Sequence, residues 1–199
     1  MGQKLEANTN SENLAITACK QGDLTRFAEL YDLYFERIYK FVYYRTFNKE
    51  LAEDLVSKIF LKSLEAIGKF DNRRGSFSAW LYSVARNTVF DHFRTARQTS
   101  DLEAVLNLAG ENSPEQGTET KLVLEKVIKF LKALSADQRD LVIMRVWDGL
   151  GFAEIAAITG KSEAGAKMAY SRIMAKLRTA IPHAMLALAA CAQLTNHYY

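Results

Sequence analysis

Apolar residues recur along this chain at steps of three and four, the spacing that gives an α-helix one buried face. Between Leu24 and Phe47 the repeating positions are Phe27, Leu30, Tyr31, Tyr34, Ile38, Phe41 and Val42. From Leu51 to Phe70 two interleaved sets appear, Leu51, Leu55 and Ile59 beside Val56, Phe60, Leu64 and Ile67. The resulting stripe is wide, so this helix is expected to be buried over most of one side. Asp71-Asn72-Arg73-Arg74-Gly75-Ser76 breaks the pattern as a polar loop. A third helix is expected from Phe77 to Arg97. Residues 14–97 therefore read as one helical unit.

Periodicity fades over residues 98–120 after a short apolar patch at Leu102, Val105, Leu106 and Leu108. Gly110, Pro114 and Gly117 then stand among acidic residues, as in a flexible linker or a partly helical surface segment. A second unit follows over 121–181. Leu124, Val127, Ile128, Leu131 and Leu134 mark one helix. Ser135-Ala136-Asp137-Gln138 has the form of a capping box, so another helix is expected to start there. It carries Leu141, Val142, Met144 and Arg145 and ends near Trp147-Asp148-Gly149. The fold class expected is all-α, with two small helical domains joined by an acidic flexible linker.

Composition narrows the function. The chain has 199 residues, about half hydrophobic and a quarter charged, and only two prolines, Pro114 and Pro182. That suits a folded helical protein. Cys19 and Cys191 make no C-x-x-C pair and read as free thiols in a reducing compartment. The polar stretch from Met1 to Asn13 argues against a secretory signal. No apolar run approaches the roughly 20 residues that span a bilayer. A cytoplasmic location without membrane insertion is expected. The net charge is uneven, at +4 over 20–97, −5 over 98–120 and +5 over 121–199. Two basic blocks attract a polyanion, most commonly nucleic acid.

The most specific stretch is Phe152 to Arg178. A short helix to Thr159 presents Ile155, Ala156 and Ile158. Gly160 supplies a tight turn and Ser162 is placed to cap the next helix. On that helix Ala166, Ala169, Tyr170, Ile173 and Leu177 share one side. Ala164, Lys167, Met168, Ser171 and Arg172 lie on the other. This is the layout of a helix-turn-helix whose second helix enters the major groove. Lys167 and Arg172 suit phosphates or guanine edges, Ser171 suits either, and Glu163 can accept from cytosine. The plainer alternative is a helical hairpin with a solvated basic face.

A second nucleic-acid candidate lies on the helix from Phe77. There Phe77, Trp80, Leu81, Val84 and Thr88 share the expected core side. Arg86, Asn87, Phe90, Arg94 and Arg97 share the opposite side, with Phe93 at its border. Arginines among exposed aromatics suit single-stranded nucleic acid, the cations taking phosphates and the rings offering stacking surfaces. Alternatively Phe90 and Phe93 pack under the linker while the arginines are solvated.

Four blocks in this order resemble the extracytoplasmic-function (ECF) sigma factor family over roughly residues 20–180. They are Ala52-Glu53-Asp54-Leu55 with Phe60-Leu61; Phe77-Ser78-Ala79-Trp80-Leu81; Ala85-Arg86-Asn87 with Asp91-His92-Phe93-Arg94; and Gly149-Leu150-Gly151-Phe152-Ala153-Glu154-Ile155-Ala156. The resemblance implies promoter recognition, promoter melting and transcription initiation with core RNA polymerase and promoter DNA as partners. Residues 14–97 would read the −10 element and dock on the polymerase clamp through Asp54, Leu55, Phe60 and Lys62. The loop with Asn72, Arg73, Arg74 and Ser76 matches the segment that captures a flipped −10 base. Ser162, Glu163, Ala164, Lys167, Met168, Ser171 and Arg172 fall on the helix that reads the −35 element. Ser57 stands where the family commonly has Gln, and Ala164-Gly165-Ala166-Lys167 replaces Gly-Thr-Val-Lys. The smaller Ala166 is expected to weaken packing. Family members are often held by an anti-sigma factor, which the resemblance adds as a further partner.

Residues 182–199 form an apolar C-terminal tail, with nine apolar residues from Ala184 to Ala192. An extra helix on the second domain, or a cover for a polymerase, DNA or regulator surface, would account for it. Three rival functions fit parts of the same pattern. A helix-turn-helix regulator that does not associate with core polymerase leaves the first domain unexplained. An interaction module would use its basic faces on acidic protein. An enzyme is not expected, because His92, His183 and His197 are scattered without metal spacing and no nucleotide-loop or nucleophile-elbow motif occurs. No cofactor or metal is expected.

Overall fold

A computed structural model describes the backbone of residues 2–99 and 119–181, with side chains for 10–96 and 125–181. The tail 182–199, nearly all of the expected linker, Cys191 and the side chain of Arg97 lie outside the described residues. Every regular element among the described residues is helical. The chain divides into two compact units, Met1–Leu108 and Ala109–Tyr199.

The first unit contains α1 (Gly2–Lys20), α2 (Phe27–Thr46), α3 (Lys49–Ala66) and α4 (Phe77–Thr99). Single 3-10 turns sit at Leu24–Arg26, Ile67–Lys69 and Asn72–Arg74. Helix α1 begins well before residue 14, where the expected unit started. Its first residues are polar, so apolar spacing is silent there, yet no proline interrupts the helix. Helix α2 ends at Thr46 because Phe47 takes a left-handed φ of 50°. Such a conformation is uncommon for a bulky residue. Phe47 is nonetheless buried, its ring edge-on to Tyr44 at 6.3 Å. Asn48 then starts α3, its side-chain oxygen accepting from the Leu51 N–H at 2.9 Å.

The core of this unit forms where α4 packs on both α2 and α3. Ile38, Phe41, Val42, Ile59, Leu81, Tyr82, Ala85 and Val89 are fully enclosed. Each large apolar side chain buried this way contributes roughly 1.5–3 kcal/mol. The buried face of α4 differs from the expected one. Phe77, Leu81 and Thr88 are buried, but Trp80 and Val84 are only half-buried, while Tyr82, Ala85 and Val89 are inside. A helix seated in the groove between two neighbours buries a face set by both of them. The Tyr82 ring meets Phe41 edge-on at 5.4 Å.

The second unit contains α5 (Glu119–Ala133), α6 (Ala136–Val146), α7 (Phe152–Thr159) and α8 (Glu163–Ala180). The capping box forms as its sequence predicts. Ser135 Oγ accepts from the Gln138 N–H, and Gln138 Oε1 accepts from the Ser135 N–H. Arg139 closes the end of α5 by donating to the carbonyls of Leu131, Lys132 and Leu134 at 2.8–3.2 Å. These are among the carbonyls a helix end leaves without intrahelical donors. Ile143, Met144, Ile155, Ala166, Ile173 and Leu177 build the core from α6, α7 and α8.

Candidate nucleic-acid interface

Helix α7, the turn and α8 are assembled by local signals. Glu154 reaches back to accept from the Gly151 N–H at 3.0 Å, fixing the start of α7. Gly160 ends it at φ 69°, a left-handed conformation that side chains with a Cβ resist. Ser162 Oγ accepts from the Gly165 N–H at 3.1 Å, so this hydroxyl serves as the cap of α8. Lys161 ties the turn to the first turn of α6 through Asp137 at 3.2 Å. Arg145 lies 4.7 Å over the Phe152 ring and donates to the Leu150 carbonyl at 2.9 Å.

These contacts hold α8 with one face buried and the other open. Ser162, Glu163, Ala164, Lys167, Met168, Ser171 and Arg172 are all exposed. Met168 is 54% exposed, a large apolar side chain among the polar residues of that face. Glu163 and Lys167 form an i,i+4 ion pair at 2.6 Å. On the inner side Ala166 is buried, and Tyr170 meets Phe152 edge-on at 5.6 Å. Gly165 suits the close approach of Ser162, since a Cβ there would meet its oxygen at 3.0 Å.

In the first unit, the open side of α4 carries Asn87, Phe90 and Arg94, all exposed, with Arg86 half-buried beside them. Phe90 is 57% exposed, which leaves most of its ring free to stack. Arg94 pairs with Asp91 at 3.0 Å on the surface. Trp80, expected in the core, has one side against Phe70 and Phe77, at 5.5 and 5.3 Å, and is half-open to solvent. Position along the helix hid this, since only the neighbouring loop decides how much of the indole is covered.

The loop before α4 is ordered by its own polar groups. Asp71 accepts from the Arg73 N–H at 3.1 Å and pairs with the Arg73 guanidinium. That side-chain bond is the main reason the Asp71 carboxyl is held below the usual carboxylate range. Asn72, Arg73 and Arg74 are exposed. Ser76 is exposed too, but its Oγ accepts from the Ala79 N–H at 3.1 Å and so caps α4.

The residues expected to dock on polymerase do not share one surface. Asp54 and Lys62 are exposed, while Leu55 and Phe60 are buried. The Phe60 ring sits among Phe27, Tyr31 and Phe35 at 4.7–6.5 Å, so it packs α3 on α2 and is buried. The exposed apolar residue is its neighbour Leu61, at 56%. Ser57 Oγ donates to the Glu53 carbonyl at 3.0 Å within α3. Lys62 Nζ lies 3.4 Å from Thr88 Oγ1 on α4. Among the described residues, no group of three or more His, Cys, Asp or Glu is placed to hold a metal ion, and no helix is long and apolar enough to cross a membrane.

Two family models match the chain, sigma-70 region 2 over residues 30–99 and sigma-70 region 4 over 124–177. The ECF RNA polymerase sigma factor BldN of Streptomyces coelicolor is 33% identical over 170 residues, 84% of this chain. The chain belongs to the ECF RNA polymerase sigma factor family. The matched part spans 64% of BldN's own length. The ECF sigma factors SigX and SigM of Bacillus subtilis are each 28% identical, over 76% and 75% of this sigma factor and 81% and 91% of their own lengths. Two solved structures share the fold. CnrH in complex with the cytosolic domain of CnrY aligns with a TM-score of 0.61 at 20% identity, over 85% of this chain and 96% of its own. RpoE of Bartonella quintana, solved with the anti-sigma factor NepR, aligns with a TM-score of 0.62 at 23% identity, over 78% and 96%.

Proposed function

We propose that this sigma factor brings core RNA polymerase to promoters, with its first unit reading and holding open the −10 element and its second reading the −35 element. The observation that carries the reading is the order of the two family matches, region 2 then region 4, each over an exposed face bearing Arg or Lys. On α8, Lys167 and Arg172 address phosphates or guanine edges, while Ala164, Met168 and Ser171 lie close enough to meet base edges or thymine methyl groups. Glu163 is the acceptor for a cytosine amino group. On α4, Arg86, Asn87, Phe90, Arg94 and Arg97 act on a strand already separated, the Phe90 ring stacking on a base. The loop of Asn72, Arg73, Arg74 and Ser76 captures a flipped base, which costs a few kcal/mol of unstacking and favours weak steps.

Polymerase docking is proposed for the open side of α3, through Asp54, Leu61 and Lys62, with Leu55 and Phe60 holding that helix in place. NepR bound to RpoE motivates an anti-sigma factor as the regulatory partner of this chain as well. The chain is proposed to work in the cytoplasm, as an initiation factor with no catalytic step of its own. A helix-turn-helix regulator acting without polymerase is not favoured, because region 2 is left without a role in it.

Run-off transcription tests the reading. Core polymerase with and without the protein is supplied with a genomic promoter library, and the 5′ ends are sequenced. Specific starts that need the protein and share a −35 and a −10 motif support it. Absence of such starts, together with binding of duplex DNA by the protein alone, would overturn it in favour of the regulator.

A further inference from the structure

Helices α3 and α4 meet along a seam with basic groups on both sides. On α3, Lys58 and Lys62 stand about one turn apart and are exposed. On α4, Thr88 is buried and His92, about one turn further, is half-buried. Lys62 Nζ lies 3.4 Å from Thr88 Oγ1, and the charge of Lys58 acts on His92. The two contacts set Lys62 beside Thr88 and Lys58 near His92. For the protein alone this is unfavourable. Like charges four residues apart on a helix repel. Lys58 also opposes a proton on His92, whose pKa is lowered first by burial and then by that charge. Neighbouring acids do not relieve the repulsion. Asp91 is paired with Arg94. Asp54 and Glu65 on α3 are exposed and bridge to neither lysine. Among the described residues Lys58 and Lys62 have no ion-pair partner, whereas Lys40 and Lys49 of the same unit are paired with Glu36 and Glu53.

We propose that this seam is a binding site for a phosphate group, held by Lys58 and Lys62 from α3 with His92 closing it from α4. The donor set decides the class of ligand. Each lysine carries three donors, and Lys62 directs at most one of them to Thr88. The imidazole adds an N–H from the opposite helix. Donors spread over two helices suit an anion with several oxygens and more than one charge, which a phosphate offers and a lone carboxylate does not. His92 and Phe90 are two positions apart, roughly 200° around α4, so the site lies away from the ring assigned to single-stranded DNA. Lys62 keeps its place at the edge of the polymerase-docking face, while Lys58 and His92 carry no role above. The inference does not depend on the promoter reading. A soluble phosphorylated compound, or a DNA backbone running past this side of α4, would present the same group.

The test titrates the full chain with inorganic phosphate against chloride at constant ionic strength, following the histidine rings by NMR. The His92 signal is assigned by its loss in His92→Gln. A saturable shift of His92, with a rise in its pKa as the anion favours the charged ring, is expected. His183 and His197 should not respond. Lys58→Met and Lys62→Met should each weaken phosphate binding about tenfold, the scale of one charge-assisted hydrogen bond, and leave the melting temperature unchanged. Lys49→Met should change nothing. Absence of a saturable shift overturns the proposal, and so does an equal shift in the two seam variants. If Lys58→Met lowers retention on core polymerase but leaves the phosphate titration intact, Lys58 serves polymerase docking and the proposal is again overturned. Salt titrations of the polymerase complex on promoter duplex then separate the two sources. A slope lower by about one in Lys58→Met assigns the phosphate to DNA. An unchanged slope beside a tenfold loss of inorganic phosphate binding assigns it to a soluble compound.

Discussion

Glu163 and Lys167 are joined by an ion pair on the open face of α8, so a cation proposed to meet DNA is already paired with a carboxylate of the same helix. Exposed pairs of this kind contribute only ~0.3–0.5 kcal/mol to a helix. Glu163→Gln is therefore expected to leave thermal stability unchanged. The Gln side-chain oxygen can still accept from a cytosine amino group, so freeing Lys167 should raise affinity of the polymerase complex for a −35 duplex about threefold at low salt. The slope of log affinity against log salt should steepen by about one, the signature of one more phosphate contact. Anisotropy titrations at several salt concentrations measure this, and an unchanged slope would place Lys167 away from the phosphates.

Phe60 and Leu61 adjoin in sequence but serve different ends. Phe60→Ala removes a buried ring from the contact of α2 with α3, and is expected to cost about 3–5 kcal/mol, read as a lower denaturant midpoint. Leu61→Ser changes an exposed position and should leave the midpoint within about 0.5 kcal/mol. Leu61→Ser should nevertheless reduce retention on core polymerase in a pull-down. Equal retention of the Leu61 variant and the unaltered chain would remove α3's open face from the docking surface.

Phe90→Ala is expected to leave stability unchanged, given the exposure of the ring, while weakening capture of single-stranded −10 DNA by about 1–3 kcal/mol. Duplex −35 binding should be untouched. Permanganate footprinting of open promoters reads the first effect, and undiminished thymine reactivity would count against a stacking role.

Gly160→Ala places a Cβ on a residue at φ 69°, with no atom close enough to clash. The cost is then purely that of the backbone, about 1 kcal/mol, and Gly160→Asn should recover part of it. A melting curve of the full chain measures both. Equal stability of all three would mean that the turn relaxes out of the left-handed region.

His92 has its pKa lowered from the ordinary value, first by burial and then by the charge of Lys58 on α3. A depressed histidine resists protonation in the folded state, while the unfolded chain takes the proton near pH 6.5. Stability from this group is therefore intact above that pH and falls as pH drops through it, until the folded histidine also protonates. His92→Gln should flatten the stability profile as pH falls through about 6.5. The same decline in the variant would assign it to other groups.

Some of this molecule could be read from the sequence because its causes are local. Gly160, Ser162 and the Ser135–Gln138 box each act within a few residues, and the open face of α8 follows from the period of one helix. The order of the four resembling blocks carries the likeness to the family in the sequence itself. Tertiary structure alone decided the rest. Periodicity says that α4 has a buried side, but two neighbours determine its width, so Tyr82 is inside and Trp80 half-open. The stripes on α3 cannot say whether Phe60 or Leu61 is exposed, because α2 supplies the rings that cover one of them. Lys20 donates to the Phe70 carbonyl across fifty residues of chain. Such a contact depends on how α1 lies against the turn before α4, and helical spacing carries no information about how separate helices meet.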